Sequence, residues 1–175
     1  MLIASAIDLI GRTPLIALDR VYNGPGRIVA KAEFLQPGGS VKDRAAKAIL
    51  LAAREDGRLR PGMPVVEMTS GNMGAGLAVA CATFAHPLIV TMSVGNSSVR
   101  AKMLEALGAE VVLVAQVDGR PGQVTGRDVE AAAEAARAIA RERRGFYVNQ
   151  FHAAEGITGC RASAMVRSPL IGIRR

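Results

Sequence analysis

One lysine sits where carbonyl chemistry could use it. Gln36-Pro37-Gly38-Gly39-Ser40-Val41-Lys42-Asp43-Arg44 reads as a strand end, a tight turn and a helix start. Two glycines after a proline give access to positive φ, so residues 37–39 form a turn. Ser40 suits an N-cap, and Asp43 three residues later predicts a capping-box-like pair. Ala45, Ala46, Ile49, Leu50 and Ala53 then recur at helical spacing. Lys42 falls in the first turn, beside unpaired amides and the positive end of the helix dipole. That position disfavours an extra positive charge and favours the free amine, the form that attacks a carbonyl. A solvated lysine at a helix start fits the same spacing.

A second stretch could hold an anion. Thr69-Ser70-Gly71-Asn72-Met73-Gly74 follows a short apolar run and opens a helix. Hydroxyls and free N–H groups at such a turn make a cradle suited to a carboxylate. A glycine-rich strand-to-helix turn with a serine cap fits equally well. A dinucleotide site is the rival for any glycine turn. The spacing here is Gly71-x-x-Gly74-x-Gly76 rather than GxGxxG, and no acidic residue follows at the distance a ribose contact needs. A Walker A sequence is absent.

These stretches must be positioned by elements that the patterning supplies. Residues 1–10 suggest a short helix ending at Gly11. Residues 15–18 and 27–34 read as two strands of a hairpin around Asn23-Gly24-Pro25-Gly26. The Lys42 helix runs to about Glu55. Strands follow at 64–68, 88–92, 110–114 and 146–148. Helices are expected from about Asn72 to Phe84, from a Gly95-Asn96-Ser97-Ser98 cap to Leu107, and from Asp128 to about Arg143. Alternating strands and helices demand an α/β fold: three layers, α/β/α, around a mainly parallel sheet. Ligands in such sheets bind at the carboxyl ends of strands, where both the Lys42 and Thr69 turns lie.

The two stretches together carry a family resemblance. Pro37-Gly38-Gly39-Ser40-Val41-Lys42-Asp43-Arg44 and Thr69-Ser70-Gly71-Asn72 resemble motifs of the cysteine synthase and cystathionine β-synthase group of fold type II pyridoxal-phosphate enzymes. Ile10-Gly11-Arg12-Thr13-Pro14-Leu15 and Leu104-Glu105-Ala106-Leu107-Gly108-Ala109-Glu110-Val111 match in the same order. The likeness runs from about residue 7 to about residue 151. It implies pyridoxal 5'-phosphate as cofactor and Lys42 as the residue joined to it. It implies that Asn72 hydrogen-bonds the cofactor's ring hydroxyl, and that Thr69, Ser70 and Gly71 close over the substrate's α-carboxylate. Gln150 matches the family's carboxylate-binding glutamine. Met73 departs from the pattern, because a threonine usually helps hold the carboxylate and a thioether donates no hydrogen bond.

Composition removes several other classes. Aromatic residues make up 3% of the chain and tryptophan is absent, which argues against base-stacking platforms. The net charge of +7 is scattered, apart from Arg141-Glu142-Arg143-Arg144 at an expected helix end and a basic tail. Nucleic acid is therefore not an expected partner. Cys81 and Cys160 lie far apart, no Cys/His spacing suggests a metal, and His86 and His152 are isolated. Cys81 reads as a small core residue. No apolar run approaches the ~18 residues of a membrane span, and no signal peptide is visible. A cytoplasmic setting, without membrane partners, is the expectation.

The likeness stops after Phe151. Residues 152–175 lack the Asn-Pro-Ala and Thr-Thr-Gly-Pro-Glu sequences the family carries there, and show neither helical nor strand periodicity. The expected organisation is an opening segment and hairpin at 1–38, which in the family packs in a larger second domain, an α/β domain at 39–150, and a divergent, poorly ordered tail at 151–175. A truncated or frameshifted chain is expected. The resemblance implies a β-replacement enzyme that makes cysteine from an O-acetylserine-like substrate and sulfide. The alternative is an inactive fragment or interaction remnant. A homodimer or pairing with a full-length paralogue is the implied assembly.

Overall fold

The computed structural model describes residues 2–164, with side chains described as far as Arg161. Helix α1 (Ala6–Leu9) is followed by β1 (Leu15–Ala17), β2 (Val29–Lys31), a 3-10 turn (Glu33–Leu35) and α2 (Lys42–Glu55). Then come β3 (Val65–Met68), α3 (Asn72–Phe84), β4 (Leu88–Ser93), α4 (Ser98–Ala106) and β5 (Ala109–Val114). Helix α5 (Gly126–Glu142), β6 (Phe146–Tyr147) and α6 (Ala154–Ala164) complete the described chain.

Four strands form one parallel sheet in the order β5-β4-β3-β6. The apolar strands alternate between two helical layers. Val65 and Val90 enter the larger core with Ile49, Leu50, Leu77 and Leu104. Val66 and Ile89 turn to the opposite face and meet Ala136 and Ala140 of α5. A sheet covered on both faces needs such near-continuous apolar strands, and each fully buried aliphatic side chain contributes about 1.5–3 kcal/mol. The expected α/β/α layering is thus present.

Local details differ from the sequence reading. The first helix is one turn, capped by the Ser5 hydroxyl, and covers less than residues 1–10. The second hairpin strand stops at Lys31 and gives way to the 3-10 turn, which aims Glu33 at α2 instead of continuing the ladder. Ser40 and Asp43 do not form a capping box. The Ser40 hydroxyl accepts from Lys42 N at 3.2 Å, while the Asp43 carboxylate reaches back to the Gly38 amide and fixes the Pro37-Gly38-Gly39 turn. A true capping box appears at Thr125 and Asp128, the start of α5.

The largest departure is α6. Residues 154–164 show no helical periodicity, yet they form a helix packed on α2. Its glycines explain why. A Cβ on Gly159 would stand 2.5 Å from the Arg44 carbonyl oxygen and 2.7 Å from Ala48 Cβ, and one on Gly156 would stand 3.1 Å from Ile49 Cδ1. Close backbone approach, rather than an apolar stripe, docks this helix. The remainder of the expected poorly ordered tail, 165–175, lies outside the described residues.

Hairpin β1–β2 pairs antiparallel and is separate from the main sheet. Leu15, Ile16, Ile28, Val29, Phe34 and Leu35 around it are all exposed. No helix among the described residues is long and apolar enough to cross a membrane.

Candidate active site

The site is built at the carboxyl end of the sheet, where α2 and α3 begin. Lys42 opens α2 directly after the Pro37-Gly38-Gly39 turn. Its half-buried side chain lines a cavity of about 390 Å³, shared with Ala45, Met73, Gln150, Ile157 and Cys160. The Lys42 ammonium has no hydrogen bond or ion pair among the described residues. An uncommitted amine facing a cavity is what a carbonyl ligand would need.

Two glycines let α3 pack closely, Gly76 against the start of α2 at that lysine and Gly74 against α4. A Cβ on Gly76 would lie 3.0 Å from both Asp43 Cα and the Lys42 carbonyl oxygen. One on Gly74 would lie 2.7 Å from Leu104 Cδ2. Two of the three glycines in the Gly71-x-x-Gly74-x-Gly76 spacing, Gly74 and Gly76, therefore serve helix packing, while a Cβ on Gly71 would meet open space.

The Thr69 loop leads into Met73 but does not itself line the cavity. Thr69 is buried, and its hydroxyl accepts from Gly71 N at 3.2 Å, closing a small turn before α3. Ser70 is half-buried and Asn72 is exposed, and neither side chain has a hydrogen-bond partner among the described residues. Met73 is 2% exposed; it belongs to the core and lines the cavity at once. The structure thus gathers Lys42, Met73 and Gln150 around one cavity; Thr69, Ser70 and Gly71 lie on the loop before α3 and Asn72 opens that helix, none of them lining the cavity.

Gln150 arrives there by a sharp turn. Strand β6 ends three residues earlier, and Asn149 takes a left-handed conformation (φ 52°) that asparagine tolerates well. Gln150 Nε2 then donates to Glu67 Oε1 at 3.2 Å and to the Met68 carbonyl at 3.3 Å. Glu67 is 1% exposed, and burial pushes its carboxyl up to about 7. Sequence reading missed this residue. A lone acid inside the apolar run Val65-Val66-Glu67-Met68 was the available signal.

A second missed set anchors the lysine helix. Arg44 is 8% exposed and meets Glu33 at two points, while Thr13 donates to Glu33 Oε1 at 2.7 Å. Gln36 Oε1 accepts from Gly11 N at 2.9 Å. The opening motif and the lysine motif, distant in sequence, are therefore bonded to each other. Asp43 is fully buried, and burial raises its carboxyl above the ordinary value. Cys81 is buried, with its thiol pushed up to about 12 by desolvation, as an inert core residue would be. His86 is also buried and ties Nδ1 to the Met63 carbonyl at 3.0 Å. No group of three or more His, Cys, Asp or Glu side chains among the described residues could hold a metal ion.

The family model for pyridoxal-phosphate-dependent enzymes matches residues 6–165. The chain belongs to that family. The probable cysteine synthase of Bacillus subtilis is 40% identical over 124 residues, which are 70% of this chain and 40% of that protein. Cysteine synthase 1 of Neurospora crassa is 49% identical over 109 residues, 62% of this chain and 29% of its own. Among solved structures, cysteine synthase from Entamoeba histolytica superimposes with a TM-score of 0.80 at 32% identity, covering 94% of this chain and 48% of that one. O-ureido-L-serine synthase superimposes with a TM-score of 0.75 at 34% identity, covering 86% and 45%. The fold is that of fold type II pyridoxal-phosphate enzymes. The chain spans less than half the length of these relatives.

The residues present fit part of the family's cofactor. The unpartnered Lys42 amine suits its aldehyde, and the free Asn72 amide suits a ring hydroxyl.

Proposed function

We propose that this chain carries the lysine-bearing part of a β-replacement site of the cysteine synthase type. The observation that carries this reading is the uncommitted Lys42 amine in a cavity shared with Gln150. Pyridoxal 5'-phosphate, when bound, supplies an electron sink for the carbanion formed at the substrate Cα. Lys42 is the residue joined to that cofactor and the base that moves the Cα proton. Asn72 orients the ring through its hydroxyl. Thr69, Ser70, Gly71 and Gln150 bind the α-carboxylate of a small amino acid, with N–H and O–H donors at the start of α3. Buried Met73 closes the apolar wall and keeps water from the reacting carbon. The substrate class is an amino acid with a leaving group on Cβ, such as an O-acetylserine, and the incoming nucleophile is sulfide or another thiol. The relatives' names support this chemistry.

A second reading is an interaction module without turnover. The exposed apolar hairpin favours it: Phe34 is 64% and Leu35 58% exposed. A second copy or a full-length paralogue would cover that face, and a cytoplasmic setting suits both readings. Supplying the chain with cofactor, O-acetylserine and sulfide and measuring cysteine separates them. Cysteine production that disappears in Lys42→Ala supports the enzyme. No product above the cofactor-only rate supports the module.

A further inference from the structure

Glu67 is an acid at a position where the sheet needs none. It lies in β3 between Val66 and Met68, 99% buried, and makes no ion pair among the described residues. Its Oε1 accepts from Gln150 Nε2, while its Oε2 is buried without a hydrogen-bond partner. The second hydrogen of Gln150 Nε2 goes to the Met68 carbonyl. Both donors of this amide are therefore turned into the protein, and its oxygen is the end left for the cavity. An oxygen is the wrong end to offer a carboxylate.

We propose that Glu67 is a positioning residue that decides which end of the Gln150 amide meets the substrate carboxylate. Ionised Glu67 draws the NH₂ inward. Neutral Glu67 can donate to the amide oxygen, so that the amide turns, gives up its bond to the Met68 carbonyl and presents the NH₂ to the cavity. This rests on the reading of Gln150 as a carboxylate ligand. The physical basis is that a charged acceptor holds an amide N–H roughly twice as strongly as a neutral one. Burial places the exchange near neutral pH, against the opposing pull of the Gln150 side chain and of the Gln150, Asn149 and Met68 backbone amides.

Few other charges bear on it. Strand β4 carries no ionisable residue, and α3 carries only buried Cys81. On β6, Tyr147 is held neutral by burial and by Glu67 itself, with Arg137 and Glu130 of α5 beyond it. On α2, Arg44 is committed to Glu33 and Asp43 to Gly38, while Lys42 lines the cavity without an ion pair among the described residues; Lys47 bonds the Ile7 carbonyl. On α6, Glu155 pairs with Arg58, and Arg161 lines the cavity. The sign follows. Binding of a carboxylate is strongest below the Glu67 midpoint and is lost as pH rises through it.

The test uses the full chain labelled with ¹⁵N-glutamine, which has four glutamines, Gln36, Gln116, Gln123 and Gln150. The Gln150 side-chain signal is assigned by its loss in Gln150→Ala and followed from about pH 5 to about pH 9. It is expected to titrate near 7 in the native chain and to stay flat in Glu67→Gln, whose amide donates to Gln150 at every pH. Calorimetry with L-serine as probe is expected to show affinity falling about tenfold per pH unit above the midpoint. Glu67→Gln should bind at all pH values as the native chain does at low pH. A native Gln150 signal that does not titrate, or one that titrates equally in Glu67→Gln, overturns the inference alone. L-serine binding that Gln150→Ala leaves unchanged at every pH overturns the carboxylate reading and the inference with it.

Discussion

Arg44 and Glu33 face each other as a two-point ion pair, with Nε to Oε2 at 2.9 Å and Nη2 to Oε1 at 3.0 Å. The arginine lies two residues after Lys42, and the glutamate belongs to the turn that follows the hairpin. The pair therefore ties the start of the lysine helix to the chain's opening segment. Planar, bidentate geometry in a nearly dry setting is where such a pair matters most.

Removing one partner strands the other. Arg44→Ala is expected to lower stability by about 3 kcal/mol, the lower end for breaking a buried pair, because Glu33 keeps Thr13 and Gln36. Glu33→Gln should cost less, since an amide still accepts from Arg44. Urea denaturation of both variants checks the order. An Arg44→Ala chain as stable as the native one would remove this anchor from the account.

Gly159 is expected to be intolerant of a side chain. A Cβ there collides with the Arg44 carbonyl, and neither backbone can yield cheaply. Gly159→Ala should cost about 1–3 kcal/mol of stability. It should also expose Cys160, beside it in the cavity wall, to thiol reagents. Denaturation and the rate of Cys160 alkylation report the two effects separately.

How far the sequence showed all this depends on the range of the forces. The parallel sheet was legible because Val65-Val66 and Leu88-Ile89-Val90 are apolar runs between helical periodicities, a local signal. Lys42 and the Thr69 turn were legible because turn chemistry is local too. Helix α6 was not, because its docking depends on what Gly156 and Gly159 lack and on the α2 backbone they approach. Glu33, Gln36 and Arg44 were not read as a unit, because their bonds also involve Gly11 and Thr13, distant in the chain. Glu67 could be seen as an acid among valines, but its link to Gln150 spans 83 positions.

Asp128 should give the fold an acid-sensitive point. Its buried carboxylate accepts from Val117 N and Thr125 N and organises the 116–126 loop. The Thr125 amide, with Val117, Gln116 and Asp118, holds it well below the ordinary carboxylate range. A depressed folded-state value means stability that is present above the unfolded value, near 3.9, and lost as pH falls below it. The stability gap between the native chain and Asp128→Asn should therefore be full near neutral pH and shrink below about pH 4. Urea midpoints at several pH values test this, and a constant gap would contradict it.

Met73→Thr should trade stability for ligand binding. The thioether is 2% exposed within the main core. Shortening it should cost about 2 kcal/mol. The new hydroxyl faces the cavity and can donate to a carboxylate, so affinity for L-serine should rise about tenfold. Calorimetry beside denaturation shows whether both changes occur.

The central claim is that Lys42 is the amine that takes the cofactor's aldehyde. Incubating the chain with pyridoxal phosphate, reducing with borohydride and mapping the label by mass spectrometry addresses it directly. The chain has four lysines, Lys31, Lys42, Lys47 and Lys102. The account predicts that the label concentrates on Lys42 and that Lys42→Ala takes up almost none. Label spread evenly over the four lysines, or undiminished in Lys42→Ala, would contradict it.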